Sequence, residues 1–319
     1  MKPEDKTLRI GTAVIICAIF LRLFSGNLPG RLLEFLSRPQ VASAMVFMQT
    51  GKVIRFSEPT APAVTETEPV IKEPITFQPE DAQLVQIANA SGCLVDVGEL
   101  LQTPLDWDLT QQTPQVLILH THTTESYADC CDNKAGYRSN DEAKNMLAIG
   151  DRLVQKLQAA GIGVLHDRQL HDYPSYNGAY NHSRTEAQKY LEQYPSIRLV
   201  LDLHRDAMTD QNGKQLNTSV NLDGTDTAQL MLVVGTNAGG LSHPQWKQNM
   251  ALAVKLQVLL AKVHPQLVRT ISLRSQRFNQ DLCPGALLVE VGTAGNSMAQ
   301  ALCATDRLAE AIIALAQGA

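Results

Sequence analysis

The residues with the greatest chemical potential follow a short apolar run, Val116–Leu119. Two histidines and a glutamate come directly after it, in the order His120-Thr-His122-Thr-Thr-Glu125. Imidazole and carboxylate groups together are common ligands of zinc. In an extended chain, His120 and His122 would point to the same face. A polar turn with hydrogen-bonded histidines explains this segment equally well, so residues elsewhere in the chain must decide.

Two later apolar runs also carry polar residues. Residues 199–203 lead into His204 and Arg205, and Glu290 interrupts the run at 287–291. An unpaired ionised carboxylate in a buried strand is strongly unfavourable. We therefore expect Glu290 to have a cation, a hydrogen-bond donor or a chemical role. A structural ion pair with an arginine is the alternative.

Taken together, these side chains match the requirements of a hydrolytic zinc site. Such a site has three protein ligands, an open position for water and a carboxylate base. Zinc lowers the pKa of its bound water towards about 7, which makes hydroxide available at neutral pH. Glu290 would accept the water proton and pass it to the leaving amine.

The elements that position these residues alternate between apolar runs and helical periodicity. Strands are predicted at 115–120, 162–166, 198–203, 229–235 and 286–291, and helices at 141–160, 183–194, 244–263 and 297–317. Residues 89–103 are expected to form a small strand or hairpin. The pattern predicts an α/β fold with a mostly parallel, twisted sheet flanked by helices. Ligands of such sheets lie at the carboxyl ends of strands.

Composition excludes several classes of protein. The chain of 319 residues is 44% hydrophobic and 18% charged, which permits a substantial core. Its net charge is −5 and it contains no basic run, so nucleic acid is not an expected partner. The six cysteines include no CxxC pair and suggest neither a disulfide framework nor a cysteine zinc site.

The N-terminus predicts export. Basic residues precede the apolar run at 10–21, and no small-x-small cleavage site follows closely, which favours an uncleaved signal-anchor. The predicted organisation is a signal-anchor or transmembrane segment at 1–26, a membrane-proximal segment at 27–56, a Pro-rich linker at 57–81 and a catalytic domain at 82–319.

Six segments carry a family resemblance: HTHTTESY at 120–127, HD at 166–167, YNGAYNHSR at 176–184, DLHRD at 202–206, NQDL at 279–282 and LVEVG at 288–292. Their joint occurrence resembles the stage II sporulation protein P family, over roughly residue 114 to the C-terminus. Members of that family are membrane-anchored peptidoglycan hydrolases of endospore-forming bacteria.

The resemblance implies a zinc-dependent N-acetylmuramoyl-L-alanine amidase with a fold similar to zinc amidases and zinc carboxypeptidases. A second, endopeptidase activity on peptide cross-links is associated with the family. The implied partners are peptidoglycan and the engulfment proteins stage II sporulation proteins D and M. The implied location is the cell membrane, with a single N-terminal pass and an extracytoplasmic catalytic domain.

By the same resemblance, His122, Glu125 and His204 are the expected zinc ligands. Two alternatives stay open. His120 could replace His122 because both lie in the same segment. Glu142 could replace Glu125 because the ligand glutamate of the broader zinc-amidase family opens the first helix.

Glu290 is the expected base, and Arg205 the expected group that holds a substrate carboxylate or the oxyanion. A structural ion pair with Asp202 or Asp206 would explain Arg205 as well. Two other functions remain open. A zinc carboxypeptidase would use Arg205 or Arg274 for the terminal carboxylate, and an inactive cell-wall-binding scaffold would need no metal.

Overall fold

The computed structural model describes residues 75–105, 109, 113–132 and 136–318. The expected anchor, the membrane-proximal segment and most of the linker lie outside these residues. Within the described ranges, no helix combines the length and the apolar character needed to cross a membrane.

A mostly parallel sheet forms the centre of the described part of the chain. The strands of the described residues are β1 (Ile87–Asn89), β2 (Val116–Leu119), β3 (Val164–His166), β4 (Leu199–Asp206), β5 (Ser219–Leu222), β6 (Thr225–Ala228), β7 (Leu230–Gly235), β8 (Ile271–Arg274) and β9 (Ala286–Thr293). Seven of them form one sheet in the order β1-β8-β7-β9-β4-β2-β3. Only the β7–β9 pair of that sheet is antiparallel. The predicted α/β fold with a mostly parallel sheet is confirmed.

Helices flank this sheet. They are α1 (Val97–Gln102), α2 (Met146–Ala159), α3 (Ala179–Gln193), α4 (Trp246–Val263) and α5 (Met298–Gly318). Helix α2 begins at Met146 rather than at residue 141, because the Asn145 side chain caps it by accepting a hydrogen bond from the Leu147 amide at 2.9 Å. A 3-10 helix, Pro79–Leu84, packs on α4, so the fold includes the last residues of the expected linker.

The two faces of the sheet are covered differently. Along β2, Val116 and Ile118 belong to the main core, which α2, α4 and α5 complete. Leu117 and Leu119 face the other way, into a smaller cluster that includes Ala187 of α3. Because side chains alternate between faces, α3 covers the second face only near β2. Further across, over β9, β7 and β8, that face opens into a cleft.

Several elements were not recognised from the sequence pattern. The β5–β6 hairpin turns at Asp223-Gly224, whose positive φ angles of 50° and 86° suit a tight hairpin turn. Strand β8 has four residues, too few for periodicity to identify it. Residues 89–103, expected to form a strand or hairpin, contain the end of β1 and helix α1.

Candidate active site

Five of the predicted site residues line one cleft, although they come from separate parts of the chain. These residues are His122, Glu125, His204, Arg205 and Glu290. The cleft has a volume of about 430 Å³. His122, Glu125 and His204 are buried. The sheet and the turn after β2 bring these side chains together.

Strands β4 and β9 set His204 and Glu290 side by side. The parallel register pairs these two residues directly, so both side chains leave the sheet on the same face. Asp202 precedes His204 by two positions and faces the same way. Its Oδ1 lies 2.9 Å from His204 Nε2. That contact is poorly aligned for a hydrogen bond and leaves Nε2 without a well-placed acceptor.

The turn after β2 carries His122 into the cleft. Asp202 accepts hydrogen bonds from the Thr121 amide and hydroxyl, at 2.8 and 2.6 Å. Asp172 accepts from the Thr124 amide and hydroxyl, at 3.1 and 2.7 Å. These two carboxylates hold the backbone on either side of His122.

His120 points away from the cleft, towards α2. The chain leaves the extended conformation after β2, so the expectation that His120 and His122 share a face is wrong. His120 Nδ1 lies 3.1 Å from the Leu203 carbonyl oxygen, and its Nε2 lies 2.9 Å from His166 Nε2. Burial lowers the pKa of His120 to about 3. A Cβ atom added to Gly150 of α2 would lie 2.7 Å from His120 Nε2, so the imidazole packs directly on that helix.

Glu125 lies in the cleft, and the alternative Glu142 does not. Glu125 Oε2 is 3.5 Å from His204 Nδ1. Burial alone would raise the pKa of Glu125, but Arg205 and His204 outweigh burial and hold it at about 2. Glu142 is exposed and forms an ion pair with Arg168 at 2.6 Å.

Arg205 is buried behind Glu125. Its Nη1 donates to Glu125 Oε1 at 3.3 Å, and its backbone amide donates to Oε2 at 3.2 Å. Its Nε donates to the Ser126 carbonyl at 3.2 Å, and its Nη2 to the carbonyls of Gly136 and Tyr137 at 3.0 and 3.1 Å. The ion-pair partner of Arg205 is therefore Glu125. These contacts orient Glu125 and the following loop.

Both groups of the β4–β9 pair have a raised pKa, but for different reasons. Burial raises the pKa of Glu290 to about 8, and its Oε2 has no hydrogen-bond partner among the described residues. Burial alone would lower the pKa of His204, but Asp202 and Glu125 raise it well above the usual value. A carboxyl group with a pKa near neutrality can accept and return a proton.

Two tyrosines surround His122. The Tyr176 ring stacks on the imidazole with centroids 4.4 Å apart, and Tyr180 approaches edge-on at 5.6 Å. Arg138 lies 4.9 Å from the centre of the Tyr176 ring on which it packs. Sequence reasoning missed these contacts because the spacing of the two tyrosines does not relate them to a histidine in another element.

The donor types of the cleft fit zinc. His122 Nδ1, His204 Nε2 and Glu290 Oε2 are buried without hydrogen-bond partners in the described part of the chain. The rings of His122 and His204 lie 5.3 Å apart, nearly perpendicular. Among the described residues, however, no three His, Cys, Asp or Glu side chains stand in a preformed metal-binding arrangement. The residue types are therefore suitable for zinc, but the side chains are not already arranged in a coordination geometry.

The fold and the cleft define an α/β protein whose site combines buried imidazoles with carboxylates. A family model described as Stage II sporulation protein P matches residues 49–313. The chain belongs to this family, which confirms the resemblance seen in the sequence motifs. The stage II sporulation protein P of Bacillus subtilis (strain 168) is 26% identical over 195 residues, which cover 57% of this chain and 46% of the relative. The chain thus aligns with about half the length of that relative.

Two solved structures are also similar. The N-acetylmuramoyl-L-alanine amidase from Clostridium difficile 630 is 16% identical, with a TM-score of 0.38, covering 64% of this chain and 94% of that one. The apo form of the N-acetylmuramyl-L-alanine amidase Ami1 from Mycobacterium abscessus is 13% identical, with a TM-score of 0.36, covering 65% and 97%. Likeness at this level does not bear on activity.

Proposed function

We propose that this chain is a zinc-dependent N-acetylmuramoyl-L-alanine amidase that hydrolyses peptidoglycan during sporulation. The reaction cleaves the amide between the lactyl group of N-acetylmuramic acid and the L-alanine of the stem peptide. The observation that carries the proposal is the convergence of His122, Glu125, His204 and Glu290 in one cleft. Membership of the family supports the role in sporulation.

In this proposal, His122, Glu125 and His204 hold the zinc ion. Their residue types, their burial, and the lack of a well-aligned hydrogen bond at His122 Nδ1 and His204 Nε2 support the assignment. When bound, zinc would lower the pKa of a coordinated water towards about 7. Arg205 keeps Glu125 ionised and oriented, which makes it a positioning residue.

Glu290 is the proposed general base. Its carboxylate takes a proton from the attacking water as the water oxygen bonds to the lactyl carbonyl carbon. When the C–N bond breaks, Glu290 passes the proton to the alanine nitrogen, and the products are a free carboxylate and a free amine. Its unpaired buried oxygen and its raised pKa of about 8 support this role.

The zinc carboxypeptidase alternative has less support. It needs an arginine close to the scissile bond, because the terminal carboxylate is only one residue away. Arg205 is engaged by Glu125 and three backbone carbonyls. Arg274 is on β8, two strands from Glu290, which is about 10 Å across the sheet. Neither arginine is therefore placed to bind the terminal carboxylate of a carboxypeptidase substrate.

The proposed setting is the cell membrane, with the catalytic domain outside the cytoplasm. The proposed partners are stage II sporulation proteins D and M, and a second endopeptidase activity on cross-links belongs to the same proposal. Co-purification of the full-length chain with those proteins during engulfment would support the partnership. Recovery of the chain without them would contradict it.

Digestion of purified peptidoglycan by the full-length chain tests the proposed activity. Mass analysis should find intact stem peptides that carry a free N-terminal alanine. Loss of single C-terminal residues would identify a carboxypeptidase instead. If no bond is cleaved and no zinc is bound, the chain is a scaffold.

A further inference from the structure

The cleft continues beyond the proposed catalytic residues, across the open face of the sheet. From Glu290 on β9 it passes over Met231 and Val233 on β7 to Ser272 and Arg274 on β8. Met231 is the register partner of Glu290, and Ser272 is the register partner of Val233. Paired residues of neighbouring strands face the same side. The cleft floor is therefore one continuous sheet surface.

The middle of this surface is apolar. Leu288, Met231 and Val233 line it between the proposed catalytic residues and β8. An apolar floor favours the aliphatic parts of a ligand, because their contact removes apolar surface from water. A polar group on the same ligand must then be bound beyond the floor.

The far end of the cleft carries an arginine that has no ionic partner among the described residues. Three arginines line the cleft. Arg205 is paired with Glu125, and Arg269 is paired with Asp206 at 2.8 Å. The side chain of Arg274 is exposed and makes no ion pair or hydrogen bond with any described residue. Arg274 is thus an uncompensated positive charge at the edge of the cleft.

We propose that Arg274, together with Ser272, binds a carboxylate of the peptide part of the substrate, which lies across β9, β7 and β8. This inference rests on the proposed peptidoglycan substrate. A guanidinium group binds a carboxylate through two parallel hydrogen bonds. Ser272 precedes Arg274 by two positions on the same strand, so its hydroxyl lies on the same face and donates a further bond.

Sheet geometry identifies which carboxylate this is. Arg274 is paired with Gly235, four residues along β7 from Met231, and β8 is two strands from β9. Strand spacing and rise then separate the backbones of Arg274 and Glu290 by about 16 Å. Because the arginine side chain is long, the peptide has to span less than this backbone separation. An extended peptide of about three to four residues spans roughly 10 to 14 Å. The carboxylate therefore belongs to the third or fourth residue of the peptide.

Four synthetic substrates test the inference: muramoyl tripeptide and muramoyl tetrapeptide, each as the C-terminal carboxylate and as the C-terminal amide. For the full-length wild-type chain, the carboxylate form of one peptide length should have a KM at least about tenfold lower than its amide. Its kcat should be the same, since Arg274 contacts a part of the substrate that does not react. Arg274→Gln should remove the difference, and Arg274→Lys should keep part of it.

Arg307→Gln on α5 is the matched control, because Arg307 forms an ion pair with Glu310 outside the cleft. This control should keep the wild-type preference. Equal KM values for carboxylate and amide in the wild-type chain would overturn the inference, and so would an unchanged preference in Arg274→Gln. The melting temperature of Arg274→Gln should equal that of the wild type, since the side chain has no partner to lose.

Calorimetric binding of the same peptides to the Glu290→Gln variant separates this inference from the proposed function. If the wild type cleaves none of the substrates, the amidase proposal fails. Even then, tighter binding of the carboxylate forms by Glu290→Gln would support the subsite, if this preference is lost in the Glu290→Gln, Arg274→Gln double variant. Equal binding of carboxylate and amide forms would refute the subsite alone.

Discussion

His204 and Glu290 are direct register partners on the neighbouring parallel strands β4 and β9, and both side chains face the cleft. Their backbones are held about 4.8 Å apart by the ladder of strand hydrogen bonds. Both strands are central in the sheet and are paired on each side. The separation of the proposed ligand and the proposed base is therefore set by a rigid element and not by loops.

The proposed base is tested by Glu290→Gln. Glutamine keeps the shape of the side chain but cannot accept the water proton, so kcat on peptidoglycan should fall by about 10² to 10⁴. Zinc content, measured by mass spectrometry, should be unchanged. Glu310→Gln on the exposed surface of α5 is the control and should keep full activity. Retained activity in Glu290→Gln would remove Glu290 from the mechanism.

The choice between the two neighbouring histidines is tested by zinc affinity. His122→Ala and His204→Ala should each weaken zinc binding by more than about 100-fold, the upper range for loss of an outer-shell partner. His120→Gln should retain zinc but lower the melting temperature, because the contacts of His120 with Leu203 and His166 are lost. The reverse pattern would assign the ligand role to His120.

The two candidate glutamates should differ in both metal binding and stability. Glu125→Gln should lose zinc affinity and lower the free energy of unfolding by about 3 kcal/mol or more, because it leaves the buried Arg205 unpaired. Glu142→Gln removes an exposed pair with Arg168, which contributes less than about 1 kcal/mol. Zinc titration and urea unfolding of both variants measure these effects. Loss of zinc binding in Glu142→Gln, with zinc binding retained in Glu125→Gln, would assign the ligand role to Glu142.

A stability effect that depends on pH is expected at Asp281. Burial alone would raise the pKa of Asp281, but hydrogen bonds from Arg184, both at 2.8 Å, lower it below the usual 3.8. A carboxylate with a lowered folded-state pKa stabilises the fold above its unfolded-state pKa. That stabilisation is lost as the pH falls through the folded-state value.

Asp281→Asn should therefore destabilise the chain by about 1 to 2 kcal/mol at neutral pH. The difference from the wild type should shrink in acid, where the wild-type carboxylate is itself protonated. Urea unfolding at a series of pH values measures this. A difference that stays constant across the series would contradict the ionic origin of the effect.

The sequence alone predicted the α/β class with its mostly parallel sheet, and it singled out the polar residues that the structure places in the cleft. Buried parallel strands read as short apolar runs because both of their faces are covered. For that reason, the apolar runs before His204 and around Glu290 could be recognised in the sequence. Hairpin β5–β6 and strand β8 could not be recognised, because short or exposed strands leave too few apolar residues to show a period. Without β8, the extent of the cleft as far as Arg274 did not follow from the pattern.

The sequence also determined that the segment after β2 offers two histidines for one position, and it left that choice open. The tertiary structure directs His122 into the cleft and His120 towards α2. The physical reason is that the backbone on either side of His122 is held by the carboxylates of Asp202 and Asp172, which belong to distant parts of the chain. Local spacing specified which residue types are present. Contacts between distant segments decided which of them meet.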